Sequence, residues 1–438
     1  MSAQKYGKGG FHFVCLIANM EGKSLNEANR NFTVTMLPLE SIDDAQNDEK
    51  DPKIIFNLHR RMSMMPLIKR NVTIEELLTW DPAPLKESLS FSAKAFKDLV
   101  KTIDKILSEV AKKDPSSIPY ESINELLHIG LFEQNGYLRD EIYLQLMRRL
   151  NDVSAGNDFK CLWKLIICVT AAFPPSKGIF KFINQWFDKC NFSESFIKQA
   201  IKVCHCNLYV FRISGPRGYS TSIEDVKFWY DEAHAKVPLF GVELDEIYAD
   251  PNLLEEVNGV EIPKIVVKLI EMIKNLNGYQ KEGVFRVSGD LQQVFRLKIL
   301  LAKDCDNVDI KFIKDASVPC SALKLWMRVL RSPLIPDNLY SVFLVARTNP
   351  KKLSILLEES LSRSNYAVIS YICNFLIDIS QPEHQELTKM TLDNFSMIFA
   401  PCFMRCPLTA SALEVLRRAG EERQVLKDIF NHFISIKT

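Results

Sequence analysis

Glu282-Gly283-Val284-Phe285-Arg286-Val287-Ser288-Gly289 is the stretch on which the reading of this chain turns. One arginine sits among apolar neighbours, framed by two glycines. Glycine permits sharp backbone turns, so the frame can hold a rigid loop that projects a single side chain. Arginine carries a permanent charge on a planar fork of donors that suits phosphate oxygens. An arginine paired with a buried carboxylate fits the bare pattern equally well.

Some forty residues on lies Leu323-Lys324-Leu325-Trp326-Met327-Arg328-Val329-Leu330-Arg331. On a helix, Leu323, Trp326, Met327 and Leu330 share an apolar face, and Lys324, Arg328 and Arg331 share an adjoining stripe about 60° wide. Three cations on one stripe repel, so an anionic partner would stabilise them. A solvated basic face is the ordinary alternative. A third segment, Met390 to Pro401, places Asn394 at the start of an apolar helix that Pro401 is expected to end. A capping or hydrogen-bonded core asparagine explains that position just as well.

The rest of the chain bounds the answer. Its 438 residues allow two or three domains, and 47% hydrophobic with 25% charged residues exclude wholesale disorder. The apolar runs Phe11–Met20 and Leu165–Pro175 fall short of the ~18 residues a membrane span needs. Lys plus Arg (55) balances Asp plus Glu (54), which argues against a nucleic-acid binder. The eleven cysteines form no CxxC pair, the closest being Cys204/Cys206 and Cys402/Cys406. Reduced thiols and a cytoplasmic location follow, with no metal site. The early run Phe11–Ala18 is short for a signal segment and reads better as a buried strand or helix.

Periodicity points to an all-α chain. Helices are expected at Phe91–Val110, Glu121–Leu131, Leu138–Leu150, Phe159–Ala172, Gly178–Cys190 and Ser193–Cys206. After a Gly/Ser/Pro-rich loop at Ser214–Ser222, further helices are expected at Ile262–Leu276, Gln292–Leu301, Ser321–Leu330, Pro336–Val345, Leu353–Leu361, Asn365–Ile379, Leu392–Phe399 and Leu413–Ile436. Phe32 to Met36 alternates like a strand. The map is an irregular arm at 1–70, a helical bundle at 71–225, a linker at 226–237 and a second helical unit at 238–438.

The three segments around Arg286, Lys324 and Asn394, in this order, resemble the RhoGAP domain, the GTPase-activating module for Rho-family GTPases. The likeness covers about 238–438 and includes Phe240-Gly241-Val242 and Ile262-Pro263. It implies that Arg286 is a catalytic arginine finger supplied in trans to the partner's nucleotide site. It implies that Lys324 and Arg328 support the finger loop and contact the GTPase, and that Asn394 helps order the finger and the partner's switch region. Arg331 joins the GTPase-binding set only through the stripe geometry. Mg²⁺ and GTP would belong to the partner, so the chain itself needs no cofactor and no substrate pocket. The family's usual Leu-Arg-Glu-Leu reads Met327-Arg328-Val329-Leu330 here, a departure that bears on partner preference.

Upstream, Leu138-Arg139-Asp140-Glu141-Ile142-Tyr143 puts Leu138, Ile142 and Leu146 on one buried stripe, with two acids in the first turn. With Leu85-Lys86-Glu87-Ser88-Leu89 before it and Phe173-Pro174-Pro175-Ser176 after it, this region resembles a myosin tail homology 4 (MyTH4) domain, covering about 71–225. That likeness implies a non-enzymatic module that binds microtubules or another cytoskeletal or protein partner. The order of the two units is similar to the C-terminal half of the Vilse/CrossGAP group. The competing expectations are a silent scaffold for GTP-loaded Rho proteins and a microtubule-associated adaptor.

Overall fold

Apolar side chains of the chain sort into two buried clusters, one drawn mainly from residues 77–230 and one mainly from 239–433. The computed structural model describes residues 60–62, 69–71, 73–81, 83–90, 92–112, 118–132, 137–151, 157–190, 192–215, 221–407 and 410–436. The strand expected at Phe32–Met36 and nearly all of the 1–70 arm lie outside these. The end of the arm is not irregular: β1 (Arg60–Met62) pairs antiparallel with β2 (Lys69–Asn71).

In the first unit a single turn at Ile74–Leu77 precedes α1 (Lys97–Lys112), α2 (Tyr120–Phe132), α3 (Tyr137–Leu150), α4 (Asn157–Ala172), α5 (Lys177–Lys189), α6 (Ser195–Ser214) and α7 (Ile223–Lys227). α1 shows why these segments become helices against a core. Val100, Ile103, Ile106, Leu107 and Val110 recur at helical spacing and are buried, and the remaining face is polar. The two acids of α3 are structural. Asp140 accepts from Ser176 N at 2.7 Å and Ser176 Oγ at 2.6 Å. Glu141 accepts from Leu89 N at 3.0 Å and Ser90 N at 2.7 Å. They tie the Leu85–Leu89 segment and the Phe173–Ser176 turn to one helix. Burial raises the Asp140 carboxyl to about 6, against the hydrogen bonds from Ser176.

The second unit contains α8 (Leu244–Tyr248), the hairpin β3 (Leu254–Val257) and β4 (Val260–Pro263), α9 (Lys264–Asn275), α10 (Leu291–Lys303), α11 (Ser317–Val329), α12 (Asp337–Ala346), α13 (Pro350–Ile355), α14 (Arg363–Ile379), α15 (Pro382–Thr388), α16 (Leu392–Phe403) and α17 (Ala412–Ser435). The hairpin and α15 were not foreseen. α16 runs through Pro401 to Phe403 instead of stopping there. Proline removes one amide near the helix end, and burial of Cys402 and Phe403 holds the last turn.

At the seam between the units the linker is helical, and one helix end differs from the sequence map. The expected linker at 226–237 is packed: Val226, Phe228, Trp229 and Tyr230 are buried in the first core. A segment this apolar cannot stay solvated when a core lies beside it. The helix expected to end at Cys206 runs on to Ser214. That extension carries Val210 and Phe211, with Cys206, into the second core, while Ile299 of α10 joins the first. Across this seam Phe211 stacks on Phe295, with ring centroids 6.5 Å apart and planes at 4°. Buried Asp225 pairs with Arg296, and Lys303 donates to the Glu224 carbonyl at 3.1 Å. The two units therefore share a continuous apolar boundary sealed by an ion pair.

Candidate functional site

The Glu282–Gly289 stretch is a tight loop between α9 and α10, built around a residue in an unusual conformation. Phe285 has φ of 64° and is fully buried. Left-handed backbone at a bulky residue costs on the order of 1–3 kcal/mol and persists only when its surroundings impose it. Here the ring meets Phe399 at 4.9 Å, Phe395 at 6.0 Å and Phe375 at 6.2 Å, each edge to face. Such pairs contribute about 0.5–1.5 kcal/mol each beyond burial, enough in sum to offset the strain. With Phe285 driven inward, the next residue is turned outward: Arg286 is exposed.

The backbone of the loop is anchored at both ends. Gly283 N donates to Thr388 O at 2.7 Å, and Arg286 N and Val287 N both donate to Gly283 O at 2.8 Å. Gly289 N donates to Ser321 Oγ at 2.9 Å. A Cβ on Gly289 would stand 2.6 Å from Ser317 O, so only glycine lets the loop lie against the first turn of α11. Lys281, just before the loop, pairs with Asp315 at 2.8 Å.

Arg286 makes no ion pair or hydrogen bond through its side chain among the described residues. Its guanidinium folds back over Gly283, where an added Cβ would meet Nε and Nη2 at 3.2 Å. No side-chain hydrogen bond or ion pair among the described residues holds it there.

α11 supplies the support. Leu323, Trp326, Met327 and Leu330 are fully buried, as the helical spacing predicted. Lys324 emerges beside them, and its Nζ donates to the carbonyl of Phe285, the residue before Arg286. Burial pushes the Lys324 amine below its ordinary value. A desolvated ammonium aimed at a carbonyl makes a charge-assisted bond stronger than a neutral one. Arg328, one turn on, is half-buried and has no anionic partner among the described residues.

Arg331 stands apart from this pair. α11 ends at Val329, and Leu330 is already extended (ψ 137°), so the helical stripe does not continue to Arg331. Its Nε donates to Gly241 O at 3.0 Å, and its guanidinium lies 5.0 Å from the centre of the Tyr209 ring. The expectation of three cations on one stripe is corrected to two.

Asn394 is the third residue of α16, and Thr391 is the cap. Asn394 Oδ1 accepts from Thr391 N and Thr391 Oγ1, each at 3.0 Å. Its Nδ2 donates to nothing among the described residues. Phe395, the next residue, packs on Phe285, so Asn394 sits at the edge of the same aromatic nest. Sequence reasoning singled out Arg286, Lys324, Arg328 and Asn394 but missed Phe285, Lys281 and Ser321. The one available signal was the large apolar residue directly preceding a solvent-facing arginine. Beside the loop lies an open hollow of about 290 Å³, with Lys281, Lys314 and Asp315 on its wall.

This arrangement presents one exposed cation on an anchored loop, with a second cation and a free amide group on the neighbouring helices. It offers an anion a charged fork, and no His/Cys/Asp/Glu cluster able to hold a metal ion occurs among the described residues.

Comparison with known proteins agrees with both halves of the chain. The RhoGAP domain model matches residues 263–408, and the MyTH4 domain model matches residues 123–228. The chain is 28% identical over 227 residues to GTPase activating protein homolog 4 of Dictyostelium discoideum, covering 51% of this chain and 24% of that protein. It is 27% identical over 237 residues to unconventional myosin-IXAa of Danio rerio, covering 53% of this chain and 9% of that protein. Among solved structures, human Rho GTPase activating protein 15 matches at 19% identity and a TM-score of 0.40, over 49% of this chain and 97% of that one. The chain thus spans a quarter or less of the length of these curated relatives. Among the described residues no helix is long and apolar enough to cross a membrane.

Proposed function

Because the chain carries a MyTH4 domain followed by a RhoGAP domain, we propose that it is an activator of GTP hydrolysis by Rho-family GTPases, with Arg286 as the arginine finger. The observation that carries this reading is the loop: a solvent-facing, unpaired Arg286 held outward by buried Phe285 and by the Lys324 amine on the Phe285 carbonyl. Phosphoryl transfer needs little covalent help and much charge stabilisation on the transferring group. GTP and Mg²⁺ are the partner's, and this chain supplies a guanidinium. Arg328 and the Asn394 amide are the groups proposed to meet the partner's surface around its nucleotide. Fingers supplied in trans contribute about 10³–10⁵ in rate, or about 4–7 kcal/mol of transition-state stabilisation.

The MyTH4 domain is proposed to place this activity on a cytoskeletal or other protein partner. α1 supports an anionic one. Lys97, Lys101, Lys105 and Lys112 are all exposed. They fall within about 80° of helix circumference. No acid pairs with them among the described residues.

Single-turnover GTP hydrolysis by a panel of Rho-family GTPases tests the central claim. Wild-type chain should accelerate at least one member, and Arg286→Ala should lose about 10³-fold or more of that acceleration while still binding the GTP-loaded form. Binding without acceleration by the wild type would instead identify a scaffold.

A further inference from the structure

The RhoGAP unit does not end where its own core ends. The last full helix of the preceding domain, α6, reaches the C-terminal end of α11, the helix that carries Lys324 and Arg328. An α-helix leaves its final carbonyls without partners, and a cation there is favourable. In this chain Arg405 fills that role: its Nη2 donates to Leu330 O, and its Nη1 lies 3.5 Å from Arg331 O. Arg405 is itself held from the other domain, donating from Nη1 to Tyr209 Oη at 2.8 Å.

The same tyrosine has a second contact. Its ring lies under the Arg331 guanidinium at 5.0 Å. Arg331 then joins α11 to the Phe240–Val242 segment, through its N to Val242 O at 2.9 Å and its Nε to Gly241 O at 3.0 Å. Gly241 is pressed on α6 so closely that a Cβ would stand 2.6 Å from Cys206 O. Tyr209 thus touches both arginines at the end of α11.

We infer that Tyr209 is a positioning residue for GTPase activation: it fixes the end of α11, and with it the direction of Arg328, from within the neighbouring domain. Arg328 lies within one turn of Leu330, whereas Lys324 lies nearly two turns back against the buried face. Loosening the end of α11 should move Arg328 more than Lys324. Partner capture should therefore suffer more than the chemical step. The inference rests on the GTPase-activating reading above.

The test uses the full chain in single-turnover hydrolysis at varied chain concentration, with thermal unfolding measured alongside. Tyr209→Leu removes the ring and the hydroxyl. It should raise the half-saturating concentration about tenfold and lower the saturating rate by less than about threefold. Tyr209→Phe keeps the ring under Arg331 and should raise the half-saturating concentration about threefold. If Tyr209→Leu fails to fold, Tyr209→Phe carries the test. A lowered melting temperature with the half-saturating concentration within about twofold of wild type would make Tyr209 merely structural and overturn the inference. If the wild type itself shows no acceleration sensitive to Arg286→Ala, the parent reading fails first, and the inference with it.

Discussion

Replacing Lys324 by Met separates what holds the Arg286 loop from what holds the fold. Methionine keeps the length and apolar stem of lysine but lacks the ammonium that donates to the Phe285 carbonyl. Two terms oppose each other in the folded state. The carbonyl loses its partner, which costs about 1–3 kcal/mol for a buried acceptor. The buried ammonium, whose pKa burial pushes down, no longer has to be accommodated. Thermal stability should therefore change little. The loop has no such compensation. Phe285 sits at φ 64°, and the Lys324 bond is one of the contacts that impose this conformation. A hydrogen bond to a charged group is worth about 1.5–3 kcal/mol. Lost in full from the transition state, that is a factor of about 10–150 in rate. Single-turnover hydrolysis at saturating chain should show a loss in this range, with the melting temperature nearly unmoved. An acceleration within about threefold of wild type would refute the reasoning and leave Phe285 held by its aromatic neighbours alone.

Two more outcomes follow from the structure. Glu422 accepts from Tyr340 Oη at 2.6 Å, and burial raises its carboxyl to about 7 despite that bond. A raised folded-state value means the contribution to stability is full below the unfolded value near 4.5 and is gone once pH has risen through about 7. The second unit should lose about 3 kcal/mol over that window, and in Glu422→Gln this component of the pH dependence should vanish; equal slopes for the two proteins in denaturant titrations at several pH values would count against it. On α1, reversing Lys101 and Lys105 to Glu should abolish co-sedimentation with microtubules, if the wild type binds, and wild-type binding should weaken several-fold between low and physiological salt.

The helical class and the local setting of the candidate groups were legible because both rest on local patterns. The spacing of Leu323, Trp326 and Met327 predicts a buried face whatever lies opposite, since a helix turns by a fixed angle per residue. The paired glycines around Arg286 marked a loop, and Lys324 and Arg328, four residues apart, had to share a face. The hairpin at Leu254–Pro263 was missed because its strands are four residues each and bear acids at Glu255, Glu256 and Glu261, which hide any alternation. Arg331 was misplaced for a related reason: helical spacing says which residues would align, not where the helix stops.

What the sequence determined by itself was therefore the set of chemical groups: one arginine between glycines, a lysine and an arginine on one helix, and an asparagine at the start of another. What only the tertiary structure decided was how those groups are held. That Phe285 is inverted into a nest of three phenylalanines depends on α14 and α16 meeting beneath the loop. That Tyr209 reaches the end of α11 depends on the last turns of α6 packing into the second core. Both are contacts between residues some ninety or more positions apart in the chain. Local periodicity carries no information about such pairs, because burial is settled by whichever apolar surfaces come together and not by the spacing within either one.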